Sequence, residues 1–295
     1  MKDIKDFENR IICGDCLEIM GDLPDESIDI IITSPPYWNA KNYESTTSRS
    51  KMPKKYSLEQ YQKEMTDIFF QAYRTLKKGR YCCIVIDGVT VEKRYYNLPM
   101  IFQTFMEEMG FVYHIPLYWL KPLGSQGMWK SGATWSLRCL KPLTYYPNQR
   151  LEHIMLFRKK EPKECEGQTD LKYGELKDWL DNVWVIKTAS TELHKCPFPV
   201  EIPMRLIKLL SFVGDAVLDP FNGIGTTAVA CRESNRRYIG IEINPDYCKV
   251  AEQRLANIPK MRFDSIDDAS DALPGLKAKP AGGASRRDDE KTGGV

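Results

Sequence analysis

Short apolar runs alternate along the chain with longer segments in which apolar residues recur at helical spacing. Such runs predict strands, and such segments predict helices that pack on them. The succession is typical of an α/β fold, in which helices flank a mixed sheet. The predicted strands are Arg10–Cys13, Ser27–Thr33, Tyr81–Asp87, Phe111–Leu120, Glu152–Arg158, Ala216–Asp219 and Arg237–Ile243. The predicted helices are Leu58–Leu76, Leu98–Met109, Val200–Leu210, Thr226–Glu233 and Asp246–Asn257.

Residues with known preferences for helix ends mark several of these boundaries. Ser57 precedes one predicted helix, and Asn244 with Pro245 precedes another. Gly79 and Gly110 stand where two helices are expected to stop, because glycine adopts the left-handed conformation that often ends a helix.

Two stretches of the chain lack this regular pattern. The segment Pro122–Arg150 has little periodicity although it lies between two predicted strands, so we interpret it as an insertion into one large domain. The stretch Asp264–Val295 is poor in apolar residues, and we expect it to be disordered.

Charge is nearly balanced overall, with 42 Lys and Arg against 40 Asp and Glu, so net charge does not indicate a nucleic-acid partner. Locally the balance differs, because Lys121–Lys163 holds nine basic and two acidic residues with aromatic residues among them. This combination suits a phosphate backbone and unstacked bases, although a solvated charged surface has the same composition. The candidate DNA contacts are Lys51, Lys54, Lys55, Trp129, Lys130 and Arg138.

The nine cysteines accompany neither a signal peptide nor an apolar run long enough to cross a bilayer. This usage favours a reducing, cytoplasmic location, near the nucleoid if the source is prokaryotic. Cys13 and Cys16 form a C-x-x-C, but no second pair follows and His114, His153 and His194 are scattered. We therefore expect no metal site.

A candidate catalytic segment follows the apolar run that ends at Thr33. It places a hydroxyl, two rigid prolines and an aromatic ring at the end of a buried strand, in Ser34, Pro35, Pro36 and Tyr37. Such a segment suits a planar amine, because the hydroxyl and a carbonyl can accept its hydrogens while the ring stacks. A proline-rich turn without chemistry is the alternative.

A candidate cofactor loop follows the strand that ends at Asp219. Gly223 and Gly225 satisfy a G-x-G-x-x-A spacing that can bring backbone N–H groups around a ligand. Glu242 ends the next strand, where a carboxylate can accept both ribose hydroxyls. A nicotinamide oxidoreductase shares this spacing and remains an alternative. Against it, Asp219 suits a cationic or amine-bearing ligand better than a pyrophosphate.

The two segments together resemble the amino-group DNA methyltransferases that use S-adenosylmethionine, in the beta arrangement where the catalytic segment precedes the cofactor loop. The resemblance covers about residues 10–257. It implies a Rossmann-like α/β fold with an inserted target-recognition region. It also implies a set of cofactor-binding residues: Asp15, Lys195, Pro197, Phe198, Asp219, Phe221, Asn222, Gly223, Gly225, Thr226, Thr227 and Glu242.

The same resemblance implies a division of the chain. Residues 1–121 would form the catalytic half of the methyltransferase domain and residues 194–263 its cofactor-binding half. Residues 122–193 would form the target-recognition region around a core strand near 152–158, and residues 264–295 a tail.

The resemblance implies methylation of a base flipped out of double-stranded DNA. Ser34 in the first position of the catalytic segment favours the N4 amine of cytosine, with the N6 amine of adenine as the alternative. Protein-glutamine and RNA methyltransferases with a related segment usually have the opposite order of segments. A DNA-binding protein without catalysis has no support, because no motif position looks broken. The recognition sequence, the oligomeric state and a separate cognate restriction endonuclease stay open.

Overall fold

The computed structural model describes residues 3–38, 57–122, 142, 147, 149–160, 166–189 and 198–258. Its strands are β1 (Arg10–Cys13), β2 (Ile28–Thr33), β3 (Leu76–Ile86), β4 (Val89–Val91), β5 (Arg94–Tyr96), β6 (Phe111–Leu120), β7 (Leu151–Lys159), β8 (Val183–Val185), β9 (Ala216–Asp219) and β10 (Arg237–Glu242). Its helices are α1 (Cys16–Asp22), α2 (Leu58–Thr75), α3 (Leu98–Met109), α4 (Tyr173–Trp179), α5 (Glu201–Leu210), α6 (Thr226–Glu233) and α7 (Pro245–Ala256), with a 3₁₀ turn at Ile4–Asp6.

One mixed sheet holds eight of these strands in the order β1-β10-β9-β2-β3-β7-β6-β8. Neighbours from β1 to β3 are parallel, β7 is antiparallel to both β3 and β6, and β8 is parallel to β6. Strands β4 and β5 form a separate antiparallel pair. The predicted α/β class with a mixed sheet is therefore confirmed. Because β2 and β9 are parallel neighbours, the segments that follow them leave the same edge of the sheet.

Apolar side chains are buried on both faces of the sheet. In β2, Ile31 joins the cluster formed with α1, α2 and α3, whereas Ile30 and Ile32 join the cluster formed with α5, α6 and α7. Each of the three is fully buried, which is worth about 2 kcal/mol apiece. A strand that is covered on both faces has a nearly continuous run of apolar residues in its sequence. This is the pattern that predicts β2.

The predicted boundaries agree with the structure to within one residue, except at the start of β3. Ser57 caps α2 in a reciprocal arrangement with Gln60, and Asn244 caps α7. Gly110 ends α3 with a φ of 110°, as a left-handed glycine cap does.

The predicted helix stop at Gly79 is wrong. Helix α2 ends at Thr75, and the next residue, Leu76, begins β3. Gly79 has a φ of 74° inside that strand, where Leu76 lies opposite Ile28 but Tyr81 lies opposite Ile30. The left-handed glycine therefore serves a bulge in β3 rather than a helix end.

The elements absent from the sequence prediction are all short. They are α1 and α4, with seven residues each, and β4, β5 and β8, with three residues each. Lengths of this order give too few positions for a period to show. Most of the predicted insertion between Pro122 and Arg150, and the predicted tail 264–295, lie outside the described residues. None of the helices in the described part of the chain has an apolar stretch long enough to cross a membrane.

Candidate active site

The segments that follow β2 and β9 meet at the carboxyl edge of the sheet. The two strands are in register with Ile30 opposite Val217. At their ends, the hydroxyl of Thr33 donates a hydrogen bond of 2.6 Å to Oδ1 of Asp219, across 186 positions of sequence. The candidate catalytic segment and the candidate cofactor loop are therefore joined directly.

Asp219 is the centre of this junction and is only 3% exposed. Its Oδ1 also accepts a hydrogen bond of 3.1 Å from Phe221 N, and its Oδ2 accepts one of 2.7 Å from the Thr227 hydroxyl. Burial raises the pKa of this carboxyl to about 6, although the hydrogen bonds oppose the rise. The sequence led us to expect that this carboxylate faces an amine-bearing ligand. In the structure it accepts hydrogen bonds from Thr33, Phe221 and Thr227.

The loop after β9 turns through Gly223 and Gly225 into α6. Their φ values are 51° and 81°, a region that favours glycine. Gly225 is the N-cap of α6, and no side chain caps this helix end. The first N–H groups of α6 are therefore free of a side-chain cap and can hold an anionic group of a cofactor.

Asn222 fixes the same loop to β10. Its backbone N–H donates a hydrogen bond of 2.9 Å to Ile241 O. Its side chain lies against Gly240, where a Cβ atom would be 2.7 Å from Asn222 Cγ. Asn222 thus packs on the sheet, and the glycine in β10 makes room for it.

Glu242 ends β10 beside this loop. Its Oε2 accepts a hydrogen bond of 2.7 Å from Gly223 N, and its Oε1 accepts one of 2.8 Å from Asn244 N. Burial raises the pKa of the carboxyl above its ordinary value. Each carboxylate oxygen has about two acceptor positions, so both oxygens keep one for a ribose hydroxyl.

Asp15 lies two residues beyond the end of β1, the strand that pairs with β10. Cys13 is in register with Glu242, and Gly14 N donates a hydrogen bond of 3.0 Å to Glu242 O. The exposed Asp15 carboxylate caps α1, where its Oδ1 accepts a hydrogen bond of 2.8 Å from Leu17 N. Its predicted contact with an adenine stays a prediction.

The remaining predicted cofactor residues fall in different places. Phe221 is half-buried and packs against the cluster with α1, α2 and α3, whereas Phe198 packs against the opposite cluster. Thr226 is buried in the first turn of α6. Lys195 and Pro197 lie outside the described residues.

In the candidate catalytic segment, Pro35 is buried and Ser34 is half-buried. Among the residues that the structure describes, none hydrogen-bonds Ser34 Oγ or the Pro35 carbonyl, so both can accept hydrogens from an amine. The Pro36 carbonyl, by contrast, accepts a hydrogen bond of 2.9 Å from the Tyr61 hydroxyl of α2. This bond and the two prolines hold the segment against α2.

Two aromatic rings follow the prolines. Tyr37 is half-buried, and its hydroxyl donates a hydrogen bond of 3.3 Å to Oε2 of Glu152 in β7. Trp38 is 8% exposed, and its ring meets Tyr96 edge to face with centroids 4.7 Å apart. Trp38 is therefore a packing residue, which leaves Tyr37 as the ring that can stack on a base.

The six predicted DNA contacts are outside the described residues, and they stay predictions. They are Lys51, Lys54, Lys55, Trp129, Lys130 and Arg138.

Sequence analysis missed Thr33 and Ile243 as residues of this edge. Thr33 has no local signal, because its partner comes from another strand. Ile243 is 57% exposed and directly follows Glu242, while Leu17 in α1 is 37% exposed. An exposed apolar side chain beside an acid suits a nucleoside, because the apolar group can contact the flat base while the acid accepts the sugar hydroxyls. An apolar residue directly after Glu242 is a signal for such a site that the sequence contains.

In the described part of the chain, no three His, Cys, Asp or Glu side chains are grouped as metal ligands would be. Cys13 is exposed and Cys16 is buried, and both are free thiols. Burial raises the pKa of Cys16 to about 12, so this thiol stays protonated at neutral pH.

Solved structures with the same architecture define the class of protein. TTHA0409 of Thermus thermophilus, solved with S-adenosyl-L-methionine, superposes with a TM-score of 0.65 at 26% identity, over 85% of this chain and 94% of that one. The PvuII DNA methyltransferase, which is cytosine-N4-specific, gives a TM-score of 0.65 at 19% identity, over 84% and 86% of the two chains. The fold is that of the S-adenosylmethionine-dependent methyltransferases.

The sequence then identifies the family within that class. Residues 28–253 match the model of the N6 and N4 methyltransferase family, whose description is DNA methylase. The chain belongs to this family. It is 29% identical to the type II methyltransferase M.MjaI of Methanocaldococcus jannaschii, over 84% of this chain and 91% of that protein. It is 27% identical to M.Cfr9I of Citrobacter freundii, over 82% and 86% of the two chains.

S-adenosylmethionine is the cofactor, and the carboxyl edge of the sheet has groups that fit it. The uncapped start of α6 suits the carboxylate of its methionine part. The open acceptor positions of Glu242 suit the ribose diol, and the exposed Ile243 suits the adenine ring.

Proposed function

We propose that this protein is a sequence-specific DNA methyltransferase of the beta arrangement that methylates the N4 amine of cytosine in double-stranded DNA. Family membership supports an amino group of a DNA base as the substrate. Ser34 supports cytosine, because the resemblance associates serine in this position with the N4 amine. The order of Ser34 before Asp219 supports the beta arrangement. The contact of Thr33 with Asp219 carries the proposal, because it brings the two segments together.

The exocyclic amine is a poor nucleophile, since its lone pair is delocalised into the ring. In this proposal Ser34 Oγ and the Pro35 carbonyl accept its hydrogens and favour a more tetrahedral nitrogen. Because Pro35 is buried and the Pro36 carbonyl is held by Tyr61, these acceptors are fixed before the base arrives. Such preorganised acceptors stabilise the charge that develops on the amine during transfer.

Tyr37 stacks on the target base, which has to leave the duplex to reach this recess. S-adenosylmethionine supplies the electrophilic methyl group when it is bound. The amine nitrogen held by Ser34 Oγ and the Pro35 carbonyl would bond to that methyl in line as the methyl–sulfur bond breaks, with S-adenosylhomocysteine as the leaving group and one amine proton released to water. Positioning provides most of the acceleration, and the reaction needs no covalent bond to a cysteine.

Cofactor binding in this proposal uses residues around the loop after β9. Glu242 holds the ribose, the first turn of α6 holds the methionine carboxylate, and Asp15 contributes at the adenine. Asp219 acts through Thr33 and Thr227, whose hydroxyls it holds 2.6 Å and 2.7 Å away. The division of the chain at residues 121 and 193 is part of this proposal, with recognition in between.

DNA binding is assigned to the basic stretches of sequence. Lys51, Lys54, Lys55, Lys130 and Arg138 would contact phosphates and position the duplex. In addition, Trp129 would stack on a base that is exposed by flipping.

The test is incubation of the purified protein with S-adenosylmethionine and mixed-sequence duplex DNA, followed by mass spectrometry of the nucleosides. We expect N4-methylcytosine. N6-methyladenine would retain the mechanism and overturn the assignment of the base. If no methylated nucleoside forms, and a nicotinamide cofactor raises the melting temperature whereas S-adenosylmethionine does not, the proposal fails in favour of an oxidoreductase.

The role of Ser34 is tested by replacing it with alanine. We expect Ser34→Ala to lower kcat by about a hundredfold, since a hydrogen bond to a developing charge is lost. Binding of S-adenosylmethionine should be unchanged. Ser27→Ala is the matched control, because Ser27 lies just before the other end of β2 and its hydroxyl donates to Pro24 O at 2.7 Å. Full turnover of Ser34→Ala would contradict the assignment.

A further inference from the structure

A charged pair, formed by Glu152 of β7 and Lys121 just after β6, adjoins Tyr37. Oε2 of Glu152 accepts the 3.3 Å hydrogen bond from the Tyr37 hydroxyl, and Oε1 of the same carboxylate pairs with Nζ of Lys121. The side chains of Lys121 and Glu152 are 19% and 17% exposed. The carboxylate therefore bridges a phenol and an ammonium group in a partly dehydrated place, where charge-assisted hydrogen bonds are strong.

The ammonium end of this bridge is itself fixed. Nζ of Lys121 lies 4.8 Å from the centre of the Trp119 ring, a distance typical of a cation–π contact. Trp119 is 3% exposed, and its indole N–H donates a hydrogen bond of 2.7 Å to Ile186 O. A buried, hydrogen-bonded ring thus limits the positions open to the lysine.

The backbone beneath the pair is fixed as well. Trp119 of β6 is in register with Glu152 of β7. Beyond the ends of these strands, Lys121 N donates to Arg150 O at 2.9 Å, and Arg150 Nε donates to Lys121 O at 2.9 Å. The two bonds join Lys121 to Arg150 and so close the strand pair next to the Trp119–Glu152 position.

We propose that Lys121 and Glu152 are positioning residues that orient the Tyr37 ring for the target base. This inference rests on the proposed function, because it assigns the stacking of the base to Tyr37. The pair touches neither the base nor the reacting atoms. It holds the phenol oxygen in place, and because a phenol O–H bond prefers the plane of its ring, the direction of this hydrogen bond favours one ring plane. The 3.3 Å bond is longer than the ordinary O–H···O distance, so it can shorten when a base presses on the ring.

The test is a double-mutant cycle that uses Tyr37→Phe and Glu152→Gln. Tyr37→Phe keeps the ring and removes only the hydroxyl. We expect each single variant to lower kcat by about tenfold, the value of one hydrogen bond to a charged group. The double variant should be no slower than either single variant, because the two groups act as a unit. The dissociation constant of S-adenosylmethionine should be unchanged throughout.

The lysine end is tested by Lys121→Met, which should lower kcat to a similar extent, and Lys121→Arg, which should restore most of it. Lys208→Met is the matched control. Lys208 is 17% exposed and pairs with Glu175 at 2.6 Å, away from the catalytic segment, so its removal should leave kcat unchanged.

The outcomes separate this inference from the proposed function. Lack of methylated product with the wild-type protein counts against the proposed function. Once that product is measured, an unchanged kcat in Glu152→Gln overturns the positioning role, as do losses that multiply in the double variant. A fall in kcat of Lys208→Met equal to that of Lys121→Met would also overturn it, because any lost ion pair would then have the same effect.

Discussion

A single carboxylate, that of Asp219, connects three parts of the site. It accepts hydrogen bonds from Thr33 in β2, from Phe221 in the loop and from Thr227 in α6. Because it is buried, it has to hold these partners without help from water. Its role at this scale is to fix where the candidate catalytic segment and the candidate cofactor loop lie relative to each other.

The buried position of Asp219 predicts an unusual dependence of stability on pH. Its pKa rises from 3.8 to about 6 on folding, which corresponds to about 3 kcal/mol. A raised carboxyl pKa means that the protonated form is favoured in the folded state. This contribution is fully present below pH 3.8 and is lost as the pH rises through 6. Asp219→Asn should remove it.

The measurement is the free energy of unfolding of the wild type and of Asp219→Asn in denaturant, from about pH 4 to about pH 8. The variant should gain stability relative to the wild type as the pH rises, by about 3 kcal/mol in all. Groups that do not interact with Asp219 are shared by the two proteins and cancel, whereas Glu242 cancels only in part, because the charge of Asp219 contributes to its raised pKa. A difference that is constant over this range would mean that Asp219 titrates normally.

Local sequence was sufficient to propose Ser34 and Glu242 as site residues, because each follows or ends an apolar strand. It was not sufficient to find the partner of Thr33. The hydrogen bond from Thr33 to Asp219 exists only because β2 pairs with β9, and a single sequence contains no signal for that pairing.

At the scale of elements, the same limit applies to Gly79. A glycine after two lysines at the end of a helical pattern predicts a helix stop. A bulge in a strand also favours a left-handed glycine, so the local sequence is the same in both cases. The register of β3 against β2 decides between the two. Long helices such as α2 and α3 were predicted because the helical spacing of apolar residues repeats over several turns.

Two glycines allow the geometry of the cofactor loop to be tested against a matched control. Gly225 and Gly214 have φ values of 81° and 82°. A Cβ at Gly225 would be 2.9 Å from Cβ of Ala251 in α7, whereas nothing lies within 4 Å of one at Gly214. Gly214→Ala should therefore cost only the left-handed conformation, about 1 kcal/mol.

Gly225→Ala should cost more, because it adds a clash that separates α6 from α7. It should also weaken the binding of S-adenosylmethionine, measured by calorimetry on folded protein, whereas Gly214→Ala should not. Equal losses of stability in the two variants would show that the contact with Ala251 relaxes freely. Equal cofactor affinities would show that the start of α6 does not hold the ligand.

At the scale of the whole molecule, the two ends of the parallel strands carry different kinds of groups. The carboxyl edge holds the candidate active site. The opposite edge holds Asp29, which is 2% exposed at the start of β2. It pairs with Lys77 at 2.7 Å and Arg80 at 3.4 Å in the β3 bulge, and accepts a hydrogen bond of 3.0 Å from Ala216 N of β9. These bonds link β2, β3 and β9. The bulge at Gly79 places the two cations, Lys77 and Arg80, beside the buried Asp29.

Replacing Asp29 by asparagine should therefore destabilise the protein without changing its ligand affinity. Breaking a buried ion pair on one side costs about 3 kcal/mol, which is the upper bound here, because Lys77 is 41% exposed and Arg80 keeps its ion pair with Asp215 at 2.9 Å. The measurement is the free energy of unfolding together with the dissociation constant of S-adenosylmethionine, taken where the variant is folded. Asp246→Asn is the control, since its pair with Lys249 is 59% and 71% exposed and is worth at most about 0.5 kcal/mol. If Asp29→Asn weakened cofactor binding as strongly as stability, the two edges would be coupled through the sheet, and the separation of tasks would be wrong.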